Sequence, residues 1–426
     1  MSKNQKILKI TLAFLLTTSF AVASKAATFA LSGQYEFGAN MLSNYDLSSG
    51  APEGFGNTSS YWAHKFTLRP DILVDDRFTI RSEFNVLQLV DQAGQNNVAN
   101  AFGTSLDGTK SLADNSQLIE LRKAYLEWAS DWGLFKVGRQ PKHWGLGIFF
   151  NGNVGANAAD TVVDRVGFEG LVGNLHIGVG FEKAKEGKLS SDQDDAESYE
   201  ISVEYINQDS LFNVGILYNR TVVSAAADVG YPSEHLLGFY TRKRWNDLQL
   251  GAEFLSRGFE DTESQLGLLT QVLYNPGKWT FGLDSGYASA NGSSNFAFQT
   301  GYEPLVLLFD DMLGPQAGEN VNQGTNIGNP IASGAGAGAL FSVLSASYGF
   351  SSGNYVLGFN FGYAQLAAQR TSPGKSLGSE VDIHLTQKWY DNFNTSYAMG
   401  FFMPGDAYGP NSQIGWGTKI TGRLKF

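Results

Sequence analysis

The sequence predicts an all-β fold: a transmembrane antiparallel β-barrel of about 18 strands, with short turns at one end and long loops at the other. Three observations predict it. Apolar and polar residues alternate with a period of two along most of the chain. The connections between these runs alternate between short and long. All eight Trp fall at the ends of the proposed runs and none in the middle of one.

Composition agrees by exclusion. The 426 residues are 42% hydrophobic and 17% charged, and 30 Phe, 18 Tyr and 8 Trp carry more apolar surface than a disordered chain would. The formal charge of -11 argues against a surface that neutralises nucleic-acid phosphates, so no nucleic-acid partner is expected. A mean hydropathy of -0.17 and the lack of a second long apolar run exclude a helical membrane bundle. A membrane barrel escapes that test, because its signal is alternation.

Residues 1–26 read as a secretory signal peptide. Lys3, Lys6 and Lys9 precede the apolar run Ile10 to Leu16, and the small-residue pairs Ala21/Ala23 and Ser24/Ala26 offer cleavage positions. The barrel is then expected over 27–426. With no Cys, an exported chain has no thiol to mispair.

The strands are predicted to begin near residues 29, 61, 77, 117, 134, 162, 175, 198, 211, 235, 248, 264, 279, 339, 355, 379, 393 and 413. From Ser198, Tyr199, Ile201, Val203 and Tyr205 share one face, and Glu200, Ser202 and Glu204 share the other. The polar stretch Asn207 to Ser210 then leads to Phe212, Val214, Ile216 and Tyr218, which makes a hairpin. The same grammar recurs at Leu175/Ile177/Val179/Phe181, Leu248/Leu250/Ala252/Phe254 and Tyr355/Leu357/Phe359/Phe361/Tyr363. The opposite faces are rich in Gly, which costs stability inside a strand and suits a crowded concave wall better than a sandwich face.

Short connections fall at 75–76, 130–133, 170–174, 207–210, 246–247, 275–278, 351–354 and 390–392. The long loops fall near 39–60, 91–116, 143–161 and 290–338, with a further one at 185–197. Trp62, Trp144 and Trp416 are expected in the loop-side aromatic girdle; Trp128, Trp132, Trp245, Trp279 and Trp389 in the turn-side one. In the last strand Ile414, Trp416, Ile420, Leu424 and Phe426 share a face. A chain ending on Phe426 is similar to the sorting signal read by the barrel-assembly machinery of Gram-negative bacteria.

A barrel of this size encloses more space than its side chains fill, so an aqueous passage is the default. The predicted pore-lining set starts with Lys65, Arg69, Arg77 and Arg81, with Glu36 and Glu83 near them. Further round the wall it turns acidic, with Glu182, Glu200, Glu204, Glu253 and Asp284; Arg165 and Asp382 complete it. Opposed basic and acidic walls would set a transverse field, whereas cross-strand pairing would cancel it, and both arrangements fit the sequence. Arg139 is out of parity with its inward neighbour Lys136 unless Gly138 forms a bulge. The bulge, with Arg139 in the lumen, is the expectation. Within 290–338, the apolar stretch 303–313 is predicted as a short helix, placed either in the mouth of the barrel or against neighbouring loops.

The runs Leu121 to Trp128, Val137-Gly138-Arg139-Gln140 and Pro404-Gly405-Asp406-Ala407 resemble the alginate-export family and related outer-membrane porins. The resemblance implies an 18-stranded passive porin with Arg139 in its constriction. A polyuronate exporter would need a strongly basic lumen, which the inward carboxylates oppose.

No enzyme is expected. His64, His143, His176, His235 and His384 are scattered, and no nucleophile sits with a general base. No cofactor or metal is expected either: the run Asp192, Asp194, Asp195 and Glu197 lacks the Gly and terminal Glu of a calcium loop. The reading is therefore a passive outer-membrane channel for small hydrophilic solutes or ions, with selectivity set by lumen charges and in-folded loops. A polysaccharide exporter and an adhesin or structural barrel are the alternatives. Outer-membrane lipid and lipopolysaccharide are the expected surroundings, and the barrel is a monomer or a homotrimer.

Overall fold

The computed structural model describes residues 27–43, 58–86, 119–152, 161–185, 196–223, 233–259, 264–291, 294–296, 298, 305–308, 338–367, 374–408 and 413–426. The expected signal peptide and the loop 91–116 lie outside them, as do most of 39–60 and of 290–338.

Eighteen strands form one sheet: β1 (Thr28–Ser43), β2 (Thr58–Leu73), β3 (Phe78–Val86), β4 (Ile119–Ser130), β5 (Gly133–Pro141), β6 (Val162–Val172), β7 (Leu175–Lys185), β8 (Ala196–Asn207), β9 (Phe212–Val223), β10 (Glu234–Trp245), β11 (Leu248–Phe259), β12 (Gln265–Tyr274), β13 (Trp279–Ala288), β16 (Ala339–Phe350), β17 (Tyr355–Leu366), β18 (Ser376–Tyr390), β19 (Phe393–Pro404) and β20 (Gly415–Lys425). Between β13 and β16, the two-residue strands β14 (Ala290–Asn291) and β15 (Ser294–Asn295) pair only with each other. Each barrel strand is antiparallel to the next, and β1 pairs with both β2 and β20, which closes the barrel and leaves no edge. All eighteen barrel strands start within three residues of their predicted positions.

The last residue extends the closure beyond the ten residue pairs of β1 with β20. The amide of Gly33 donates to the Phe426 carbonyl at 2.9 Å, and the Phe426 amide returns the bond at 3.1 Å. The Phe426 ring stacks on Phe66 with centroids 5.9 Å apart. A Cβ at position 33 would lie 2.7 Å from that ring and 2.4 Å from the Thr67 carbonyl, so glycine is required there.

The period of two decides which way side chains look. Tyr199, Ile201, Val203, Ile216, Phe239, Leu340 and Phe361 are exposed on the outer face, so these strands are not the inner layers of a sandwich. At the turn end the outward aromatics form a ladder from β3 to β6: Phe78, Trp128, Phe135 and Phe168, with successive centroids 5.9, 5.0 and 4.8 Å apart. Tight turns there use left-handed residues, Gly173 (φ +61) and Asn246 (φ +45), as two-residue hairpins require.

Candidate functional site: the inner wall and its in-folded segments

The inner wall has two kinds of surface. On β1–β8 it is built of ion pairs. Arg69 reaches Glu83 at 2.6 Å, and Lys123 meets the same carboxylate at 3.2 Å. Arg81 bridges Asp71 at 2.8 Å and Glu127 at 2.6 Å, Lys136 holds Glu169 at 2.8 Å, and Arg423 of β20 holds Glu36 at 2.8 Å. Lys65 lies opposite Glu36 in the β1–β2 register. Cations and carboxylates are therefore interleaved strand by strand, not segregated to opposed walls as one of the two sequence expectations had them. Neighbouring strands lie about 4.8 Å apart, so two inward charges of opposite sign at the same level meet within hydrogen-bonding reach.

The segment 142–152, which follows β5, runs into the barrel. Its ends are tied by the bridge between His143 and Asn151 and by the Trp144 amide donating to the Phe150 carbonyl at 3.0 Å. Lys142 is buried, with its Nζ 2.8 Å from Glu182, 2.6 Å from Glu200 and 3.7 Å from the centroid of the Phe150 ring. Arg165 adds contacts of 3.6 Å to Glu182 and 3.0 Å to Glu200, giving a four-charge cluster. Burial of so many charges is tolerable only because each has an opposite partner. Trp144 packs edge-on to Tyr240 with centroids 5.1 Å apart, and the Tyr240 hydroxyl donates to Glu204 at 2.6 Å. The Leu146 amide donates to Glu253 at 2.6 Å. Gly145 (φ +59) makes this approach possible: a Cβ there would stand 2.9 Å from the Glu253 carboxyl and 3.1 Å from Tyr240.

On β9–β19 the long-loop half of the wall is mainly apolar and filled, with an ion pair of Arg257 and Glu234 at the end of β10 and β11. Leu217, Leu236, Leu255, Leu269, Phe341 and Phe402 point inward and are buried under Ile148, Phe296, Phe298, Leu305, Leu307 and Leu308. The segment 305–308 is held by carboxylates. The Leu307 amide donates to Glu380 Oε1 at 2.7 Å, the Leu308 amide to Glu380 Oε2, and the Val306 amide to Asp382 at 3.2 Å. Inner-wall glycines make room: a Cβ on Gly362 would collide with Leu305, and one on Gly417 would lie 2.8 Å from Leu307. Of the two placements open for this part of the loop, the inward one holds for 305–308. The expected helix is absent from these four residues, and the rest of 303–313 lies outside the described ones.

Three expectations need correction. No bulge forms at Gly138: Tyr125 pairs with Gly138 and Ala124 with Arg139, and the β5–β6 register runs unbroken through Gly138 opposite Arg165 and Arg139 opposite Asp164. Arg139 therefore keeps the outward parity of Val137 and is not in the lumen; Gly138 (φ +122) accommodates its unusual backbone without an inserted residue. The cost is small because Arg139 sits two residues from the loop end of its strand, where an outward cation costs about 0–1 kcal/mol, not the 2–4 of the midplane. Arg77 lies in the turn after β2, exposed and 3.4 Å from Asp131, because Asp75 caps that turn and ends the strand before it. Trp144 is not in the loop-side girdle but buried inside, since the chain turns inward directly after β5.

The remaining predicted positions are inward. Glu253 is fully buried, Asp284 accepts from Gln271 at 3.4 Å, and Asp382 is 1% exposed. Sequence reasoning missed Lys142, Glu127, Glu169 and Glu380. The last three share the polar parity of their strands and were legible on that ground; Lys142 has no periodicity to place it.

No protein-family model matches the sequence, and no curated protein matches it. Solved structures do match over nearly the whole chain. OccK9 (OpdG) of Pseudomonas aeruginosa is 11% identical, with a TM-score of 0.58 over 94% of this chain and 98% of that one. The outer membrane protein opdK of Pseudomonas aeruginosa is 10% identical, with a TM-score of 0.56 over 93% and 99%. OccAB4 of Acinetobacter baumannii is 11% identical, with a TM-score of 0.54 over 93% and 98%. The shared property is the fold, that of 18-stranded outer-membrane porins. The resemblance to the alginate-export family gains no support from these matches.

Proposed function

We propose that the chain is a passive outer-membrane channel for small hydrophilic solutes. The observation that carries this reading is the pairing of an apolar outer face with an inner wall whose β1–β8 side is lined by ion pairs while its β9–β19 side is packed by in-folded segments. The passage then runs along the ionic side, and 142–152 and 305–308 set its width. The structural neighbours, among them the outer membrane protein opdK, support the location. Interleaved opposite charges leave little net field, so the lining suits neutral or zwitterionic solutes better than a polyanion, which disfavours polyuronate export.

Liposome swelling tests the reading. Vesicles carrying the protein are expected to swell in neutral sugars and amino acids at rates that fall with solute size. Vesicles that swell no faster than protein-free ones in any solute would overturn it. Export to the membrane by residues 1–26 and sorting through Phe426 belong to the same proposal.

A further inference from the structure

One feature of the outer face is not explained by a passage for solutes. On β5–β10, near the long-loop end, outward positions carry a band of charged side chains, Arg139, Asp164, Lys183, Glu197 and Arg220, with His235 at its end and a step at Glu197, whose β9 partner is Val222. They are cross-strand neighbours. Arg139 is opposite Asp164, Asp164 opposite Lys183, and Lys183 opposite Glu197. Tyr199 then lies opposite Arg220, and Arg220 opposite His235. Lys183 contacts Glu197 at 3.1 Å, the Tyr199 hydroxyl donates to Glu197 at 3.1 Å, and Arg139 touches Asp164 at 3.5 Å. Arg139 remains 46% exposed at its side chain. Arg220 is exposed and makes no ion pair among the described residues.

Height on the barrel does not account for the row. At the corresponding outward positions on other strands stand Ile119, Leu340, Tyr363, Met403, Met41 and Trp62, all exposed. The loop-side rim is thus apolar around most of the circumference and charged on one arc of six strands, about 24 Å wide at the usual strand spacing. Along that arc three cations stand with two carboxylates: Asp164 is beside Arg139, Glu197 is beside Lys183, and Arg220 adds the third cation.

We propose that this arc is a docking surface for the phosphate-bearing headgroup of an outer-leaflet glycolipid, with Arg139, Lys183 and Arg220 as its phosphate ligands. The inference rests on the membrane reading above, since the long-loop end must face the outer leaflet. Charge complementarity favours this occupant: the arc is net positive, and Arg139, Lys183 and Arg220 offer guanidinium and ammonium donors at headgroup level, at short range from a phosphate, in an otherwise apolar rim.

Native mass spectrometry of the detergent-solubilised full chain tests it with diphosphoryl lipid A as the probe. The wild type is expected to retain diphosphoryl lipid A at least tenfold more than dephosphorylated lipid A or phosphatidylethanolamine. The variant Arg139→Gln/Lys183→Gln/Arg220→Gln is expected to lose that preference, Arg139→Lys/Arg220→Lys to keep it, and Arg77→Gln, in the turn at the far end, to leave it unchanged. Equal retention by the wild type and the triple variant, or equal retention of both forms of lipid A, would overturn the site. So would loss of oligomers in the triple variant with retention unchanged, which would make the arc an interface between copies. If the triple variant fails to insert, Arg220→Gln alone, expected to weaken retention severalfold, carries the test. Conductance of the same samples separates the two readings: a triple variant that conducts but no longer retains lipid A supports both, and a wild type that retains lipid A without conducting counts against the channel alone.

Discussion

The two sides of the inner wall neutralise their carboxylates in different ways. On β1–β8 the partners are side-chain cations from neighbouring strands, as in Arg81 with Asp71 and Glu127. On β11 and β18 the partners are backbone amides of chain segments that have entered the barrel, as in Glu253 with Leu146 and Glu380 with Leu307 and Leu308. The first arrangement leaves a polar wall in place; the second fastens a segment across the lumen. An inward Glu read from sequence alone is thus ambiguous between lining a path and closing one, and its burial and donor distinguish the two.

Lys142 joins the two sides, because it belongs to an in-folded segment but bonds to strand carboxylates, and its loss is the most severe test. Lys142→Met leaves Glu182 and Glu200 with Arg165 as their only cation among the described residues, an expected loss of about 3–5 kcal/mol that a urea titration of the protein in lipid vesicles would read. An unchanged midpoint would mean that the cluster is open to water. Next comes Glu380→Ala, which strips two buried amides of their acceptor, at about 1–3 kcal/mol each. Segment 305–308 is expected to undock, with a higher single-channel conductance and faster proteolysis between 305 and 308, while Glu380→Gln is milder because it keeps an acceptor. Gly145→Ala places a side chain at φ +59 against Glu253, and about 1–2 kcal/mol of strain is expected to loosen 142–152. The smallest effect belongs to the ionic side. Arg81→Gln is expected to change stability by less than about 1 kcal/mol and to shift ion preference towards cations, measured as a reversal potential in a salt gradient.

How much of this was legible in the sequence follows from what is local and what is not. A period of two is local, so strand positions, the outward face of Tyr199 and Ile216, and the alternation of the last strand could be read along the chain. The in-folded segments could not. Lys142 finds Glu182 forty residues away, and Leu146 finds Glu253 at a separation of 107 residues, with no repeat to announce either contact. Arg139 was misplaced by a different error: a glycine beside an out-of-parity arginine suggested a bulge, whereas the strand keeps its register and the arginine joins the outward charges at the rim. Trp144 failed for the same reason as Lys142, since position at a strand end does not say whether the chain next turns over the rim or into the barrel.

Single-channel recording in planar bilayers tests the central claim most directly, that a wet path survives beside the packed half of the lumen. Purified protein is predicted to insert as discrete steps of constant conductance, linear in voltage. Insertion without any current above the bare bilayer would mean that the in-folded segments seal the barrel, and would contradict the account.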